Sequence, residues 1–198
     1  MKKKLGIISL TALSLALAAC GNGGTTADNE EADKSIKVTV NGELASLDSI
    51  SSTDSPSQNT ISNVMEGLYR PADNGSNELG VAAEEPTVSE DGLTYTFTIR
   101  DDADWSNGDP VTAQDFVYTY QKTVTPETIG GNANKFYVIE NAEAIANGEA
   151  EPDTLGIKAI DDKTLEFTLA SPTTYFTDLL ATSYYLPVNH NVATELGS

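Results

Sequence analysis

The chain has 198 residues and a single cysteine, so no internal disulfide can form. It has one histidine, His190. A metal site built from several histidines or thiolates is therefore poorly supplied, and so is a Ser-His-Asp triad. Cationic residues are scarce: 11 Lys and Arg face 30 Asp and Glu, for a formal charge of −19. So acidic a surface repels phosphate backbones and excludes nucleic acid as a partner. No Gly-rich phosphate loop is present, since neither Gly23-Gly24 nor Gly130-Gly131 has the flanking pattern. Asp102, Asp104 and Asp109 fail the calcium-loop test. Counted from Asp102, the sixth position is Asn107 and the twelfth is Ala113, where Gly and Glu are required. These carboxylates read as turn formers and a solvated rim. Ser51-Ser52-Thr53 has no visible base partner, and acidic neighbours such as Glu84-Glu85 carry no general acid–base signal in so acidic a chain. The composition points away from an enzyme.

One predominantly apolar run stands out, Leu5 to Ala19, preceded by Lys2-Lys3-Lys4. It is shorter than the ~20 residues that span a bilayer. A basic start, a short apolar run and small residues before a cut read as a secretory signal over residues 1–19. Leu17-Ala18-Ala19-Cys20-Gly21 closes it and resembles the lipobox of bacterial lipoproteins, which implies lipidation of Cys20 and an extracytoplasmic, membrane-anchored protein. Without Lys2, Lys3 and Lys4 the 30 acidic residues face only 8 cationic ones, and the charge becomes −22. Residues 21–33 hold no apolar residue larger than alanine, so residues 20–35 read as a lipidated cysteine and flexible tether.

Beyond the tether, Ile36-Lys37-Val38-Thr39-Val40 alternates and is expected to be the first strand. After a polar run, Asn59 or Thr60 is expected to cap a helix carrying Ile61, Val64, Met65 and Leu68 on one face. Gly75 and Gly80 mark turns. The clearest strand is Leu93 to Arg100, with Leu93, Tyr95, Phe97 and Ile99 on one face. Asp91-Gly92 predicts a hairpin that pairs it with residues 86–89. A second hairpin is predicted from Leu155–Ile160 and Thr164–Leu169. Thr112-Ala113-Gln114-Asp115 resembles a capping box and opens a helix bearing Phe116, Val117 and Tyr120. Helices are also expected at Ile139–Asn147 and Tyr175–Ala181, and His190 reads as a solvated turn residue. Strands and helices mix without a βαβ rhythm, which argues an α+β fold.

Asp91-Gly92-Leu93-Thr94-Tyr95-Thr96-Phe97-Thr98-Ile99-Arg100, followed by Trp105-Ser106-Asn107-Gly108-Asp109-Pro110-Val111-Thr112-Ala113-Gln114-Asp115-Phe116, is more specific. It resembles the signature of the family 5 extracellular solute-binding proteins, the oligopeptide, dipeptide and nickel receptors of bacterial ABC importers. Ser46-Leu47-Asp48, Glu66-Gly67-Leu68-Tyr69 and the 155–165 hairpin also look like family segments, so the resemblance spans 36–198. Tyr95, Phe97, Trp105 and Phe116 read as core within that signature.

The resemblance implies a periplasmic-binding-protein-like type II fold. Members are much longer, two-lobed chains, so this one looks like an N-terminal fragment. It would hold an incomplete lobe I with a mixed sheet and the extra family subdomain. The start of the main sheet falls at 36–65, the subdomain at 66–190 and a truncated return to lobe I at 191–198. The implied function is a substrate-binding lipoprotein that delivers extracellular oligopeptides to ABC permease subunits, as a monomer without cofactors. Alternatives are a receptor for dipeptide, nickel or haem, or a non-transport surface lipoprotein of adhesive or chaperone-like kind. By analogy, one ligand-contact segment falls at Thr53-Asp54-Ser55. Some relatives carry a glutamate where Thr53 stands, and Asp54 is available instead to face a cationic ligand group. A second contact loop places Asn132 where relatives have an aromatic residue.

Overall fold

The computed structural model describes residues 37–128 and 131–196. The chain divides into units 1–39 and 40–198. In the first, Lys37, Val38 and Thr39 are exposed and without regular structure. The signal, Cys20 and the tether lie outside the described residues, as does Ile36. The expected strand is therefore not formed over 37–40: neither sheet includes it, and Val38 is 75% exposed. Alternation and β-branching alone do not make a strand, which needs a neighbour to pair its backbone groups.

The second unit is α+β. Helix α1 (Ser55–Val64) precedes a small hairpin of β1 (Tyr69–Pro71) and β2 (Asn77–Leu79). Gly75 adopts φ +82° in the connecting turn. A four-stranded sheet follows, in the order β3 (Thr87–Val88), β4 (Thr94–Thr98), β6 (Thr164–Thr168), β5 (Ile157–Ala159). Every pairing is antiparallel, so no mixed sheet is formed among the described residues. Both predicted hairpins are present. Gly92 takes φ +71° in the turn before β4, a conformation that suits glycine. Tyr95 and Phe97 point into the core and stand opposite Phe167 and Leu165, while the threonines between them face outward.

Helix α2 (Ala113–Val124) buries Phe116, Val117, Tyr120 and Val124. Short helices α3 (Ala142–Ala146) and α4 (Phe176–Leu180) and a terminal α5 (His190–Leu196) complete the unit. An aromatic cluster ties these elements together. Phe97 and Phe167 meet edge-on at 5.7 Å, and Tyr120 lies 5.0 Å from Phe136 and 5.6 Å from Tyr185. The buried Tyr120 hydroxyl donates to the Tyr185 carbonyl at 2.7 Å, which removes the cost of burying a polar tip.

Two helices differ from expectation. Helix α1 starts five or six residues early because Asp54, not Asn59 or Thr60, is its N-cap. Pro56 in the first turn costs no hydrogen bond. The helix stops at Val64; Leu68 is buried, but beyond the helix end, and Val64 is 73% exposed. Helix α3 is shorter than 139–147. Ile139 instead bridges Leu169 at the sheet, and Asn141 turns left-handed at φ 64°.

Candidate ligand-binding surface

The 45–58 segment is organised by its own short polar side chains. Asp48 accepts from the Ile50 N–H at 3.0 Å and the Ser51 hydroxyl at 2.5 Å, which makes a local turn. Asp54 Oδ1 accepts from the Ser57 N–H at 2.9 Å. That backbone bond, with the Ser57 hydroxyl second, holds the Asp54 carboxyl below its ordinary pKa of 3.8. The Ser57 hydroxyl in turn accepts from the N–H groups of Ala45 and Ser46 at 3.1 and 3.3 Å.

Thr53 and Ser55 are exposed, and Asp54 is half-buried between them. Asn132 is buried at 6% exposure, and its Nδ2 donates to the Ile50 carbonyl at 3.2 Å and the Ser52 carbonyl at 3.1 Å. The structure thus brings together two stretches about 80 residues apart, with Asn132 as the stitch. Its amide is directed at the 50–52 backbone. Ser52 also receives Gln58 Nε2 at 2.5 Å. Ser49 Oγ, Ser52 Oγ and Gln58 Oε1 are buried without a hydrogen-bond partner, so unmet polar capacity is concentrated at this loop.

Behind the loop lies a groove of about 900 Å³, walled by Ile50, Met65, Trp105, Tyr118, Val192 and Leu196 among others. Trp105 sits at the edge of the core rather than inside it: half-buried, it packs against the core cluster and lines the groove, and its Nε1 donates to Asp115 Oδ2 at 3.0 Å. Asp115 is the group that reading the sequence missed. Its side chain is only 2% exposed. Oδ2 also accepts from the Thr112 N–H at 2.9 Å and the Thr112 hydroxyl at 3.3 Å, and so forms the expected helix cap. Oδ1 accepts from the His190 N–H at 2.9 Å and meets His190 Nδ1 at 2.7 Å.

His190 is accordingly not a solvated turn residue. It opens α5, with 26% of its side chain exposed, and is anchored to a carboxylate 75 positions earlier. The capping box was the only local sign of Asp115. Its second pair of bonds is long-range and leaves no spacing to read.

The acidic turn behaves as turn chemistry. Asp102 pairs with Arg100 at 3.1 Å. Asp109 accepts from Asn107 at 2.7 Å and Asn189 at 3.0 Å; Asn189 first, then Asn107, lowers its pKa. No cluster of three or more His, Cys, Asp or Glu suited to a metal ion occurs among the described residues.

An α+β body carrying these signature turns fits a class of extracytoplasmic solute-binding proteins. Residues 79–196 match the profile of the bacterial extracellular solute-binding proteins, family 5 (middle), and the chain belongs to that family. It is 43% identical to the oligopeptide-binding protein OppA of Bacillus subtilis over 98% of this chain and 37% of that protein. It is 39% identical to a dipeptide-binding protein of Lactococcus lactis over 98% of this chain and 34% of that one. Among solved structures, peptide-bound OppA of Listeria monocytogenes superposes with a TM-score of 0.74 at 43% identity, covering 76% of this chain and 30% of that one. The substrate-binding domain of an oligopeptide ABC transporter from Bacillus anthracis gives 0.78 at 42% identity, covering 81% and 31%. The chain therefore spans about a third of the length of the relatives it matches.

Proposed function

We propose that this chain supplies part of a lipid-anchored peptide receptor, which captures extracellular oligopeptides and hands them to the permease of an ABC importer. The observation that carries the reading is the stitched surface. Asn132 holds the 50–52 backbone in place, and Thr53 and Ser55 stand exposed beside it. A peptide lying extended there pairs its N–H and C=O groups with main chain, which gives affinity with little dependence on ligand sequence. The half-buried Asp54 carboxylate offers a counter-charge to a cationic ligand group. Cys20 carries the lipid, with residues 21–33 as the tether, so that the receptor stays concentrated beside its membrane partner. The protein works as a monomer without a cofactor.

Calorimetry with a mixed peptide library tests this. A full-length form carrying these residues binds peptides tightly. The 198-residue chain binds weakly or not at all, because the family's ligand is held between two lobes. Micromolar binding by the chain alone refutes the two-lobe requirement, and no binding by the full-length form refutes the peptide assignment. A length series separates oligopeptide from dipeptide, the second reading favoured by the Lactococcus relative. Mass spectrometry of the membrane fraction tests lipidation: a Cys20→Ser variant loses the acyl mass and the membrane association.

A further inference from the structure

We infer that Asn41 is a site of spontaneous modification, where the main chain closes onto the Asn41 side chain as a succinimide and reopens as aspartate and isoaspartate. Asn-Gly pairs begin at Asn22, Asn41, Asn74, Asn107 and Asn147. The first lies outside the described residues. Such a pair is chemically labile because glycine has no Cβ to keep its nitrogen from the preceding side-chain amide. The other four asparagines are all exposed, so access to water does not tell them apart.

Hydrogen bonding does. To react, the glycine nitrogen must surrender its proton and turn its peptide plane towards Cγ of the asparagine. In three pairs that nitrogen is already committed to a turn. Gly75 donates to the Ala72 carbonyl, Gly108 to that of Trp105 and Gly148 to that of Ile145, each at 2.9 Å. Two of the side chains are held as well. Asn74 Oδ1 accepts from the Ser76 N–H at 2.9 Å, and Asn107 bonds Asp109 through Oδ1 at 3.1 Å and Nδ2 at 2.7 Å. Asn41 differs. Among the described residues neither its side chain nor the Gly42 N–H has a hydrogen-bond partner, and the pair sits in a bend outside every helix and strand. The three turns must open locally before they react, whereas Asn41 needs no such step.

The reaction needs nothing but water. The Gly42 nitrogen bonds to Asn41 Cγ, and Nδ2 leaves as ammonia with the proton that the glycine nitrogen gave up. Water then opens the ring at either carbonyl. One product is aspartate; in the other, isoaspartate, the main chain runs through the former side chain. Both add one negative charge to the −19 of the chain. The iso form also lengthens the main chain by a methylene just ahead of Gly42. That glycine packs so close to the first turn of α1 that a Cβ on it would come 2.9 Å from Pro56 Cγ.

The test is to warm the 198-residue chain at neutral pH and map its peptides by mass spectrometry, with isoaspartyl methyltransferase labelling to identify the iso product. Residue 41 is expected to convert several-fold faster than 74, 107 and 147. Asn41→Gln, whose longer side chain closes a ring far more slowly, removes the methyl label from that peptide. In guanidinium, where the turns are lost, the four rates converge. Two results overturn the proposal: residue 41 converts no faster than the other three in the folded chain, or it keeps its lead in guanidinium, so that neighbouring sequence and not the fold sets the rate.

Discussion

Replacing Asp115 by alanine removes one carboxylate and strands donors from three parts of the chain. The Thr112 N–H, the Trp105 indole N–H and the His190 N–H lose acceptors at 2.9, 3.0 and 2.9 Å. Each donor left unsatisfied away from water costs ~1–3 kcal/mol. These three are part-buried, so the low end applies and the sum is roughly 3–5 kcal/mol. Against a total of about 5–15 kcal/mol for a domain, that is a large fraction. At about 2–4 °C per kcal/mol for a domain of this size, the melting temperature falls by roughly 6–20 °C. Asp115→Asn retains one carbonyl oxygen, enough for Trp105 and Thr112, but sets an NH₂ against the His190 N–H. Its loss is therefore intermediate, and it falls on α5. Urea and thermal denaturation followed by circular dichroism give the stability, and Trp105 emission reports the groove wall directly. An alanine variant within ~1 kcal/mol of the parent, with unshifted emission, refutes the account of Asp115 as the shared anchor.

Gly156→Ala is expected to destabilise by ~1–3 kcal/mol, because an added Cβ lands 2.4 Å from the Thr168 carbonyl oxygen and 2.8 Å from Glu140 Cβ; thermal melting checks it. Asn132→Ala frees the Ile50 carbonyl and leaves the Ser52 carbonyl with Gln58 alone, so backbone amides of 49–54 exchange faster with deuterium, and peptide affinity in a full-length form falls. Asp54 has a folded pKa below 3.8, so its stabilising contribution is present above the unfolded value and lost as pH falls through the folded one. Urea midpoints measured between pH 5 and pH 2, about the range of carboxylate titration, decline less steeply for Asp54→Asn than for the parent; parallel declines contradict the capping role.

The sheet was legible because its signals are local. Period-two alternation at 93–100 and the Asp91-Gly92 turn specify β4 and its partner without reference to the rest of the chain. The capping box did the same for α2. Helix α1 was misplaced although its true start is written plainly. Asp54 ahead of Pro56 is a cap signal, but it sits in a polar run that hides it, and the apolar spacing drew the start downstream. Residues 36–40 failed for the opposite reason: a strand-like pattern is only half of a strand. His190 was misjudged, and Trp105 placed inside a core whose edge it occupies, because one carboxylate, Asp115, sets the position of both. The candidate site shows the same divide. The loops holding Thr53, Asp54, Ser55 and Asn132 were marked by resemblance, yet their meeting through two hydrogen bonds across about 80 residues carries no pattern in sequence.

The four-stranded sheet ends in strands of only two and three residues, β3 and β5, and the latter sets Lys158, an exposed cation, at its centre. So little free ladder is a poor template for another chain, and a charged side chain on it is poorer still. In the lipid-anchored receptor proposed above, copies confined to one plane would meet each other far more often than in bulk solution. A sheet with no usable margin lets such a population stay dense without polymerising, and every copy remains free to turn towards whatever it must meet.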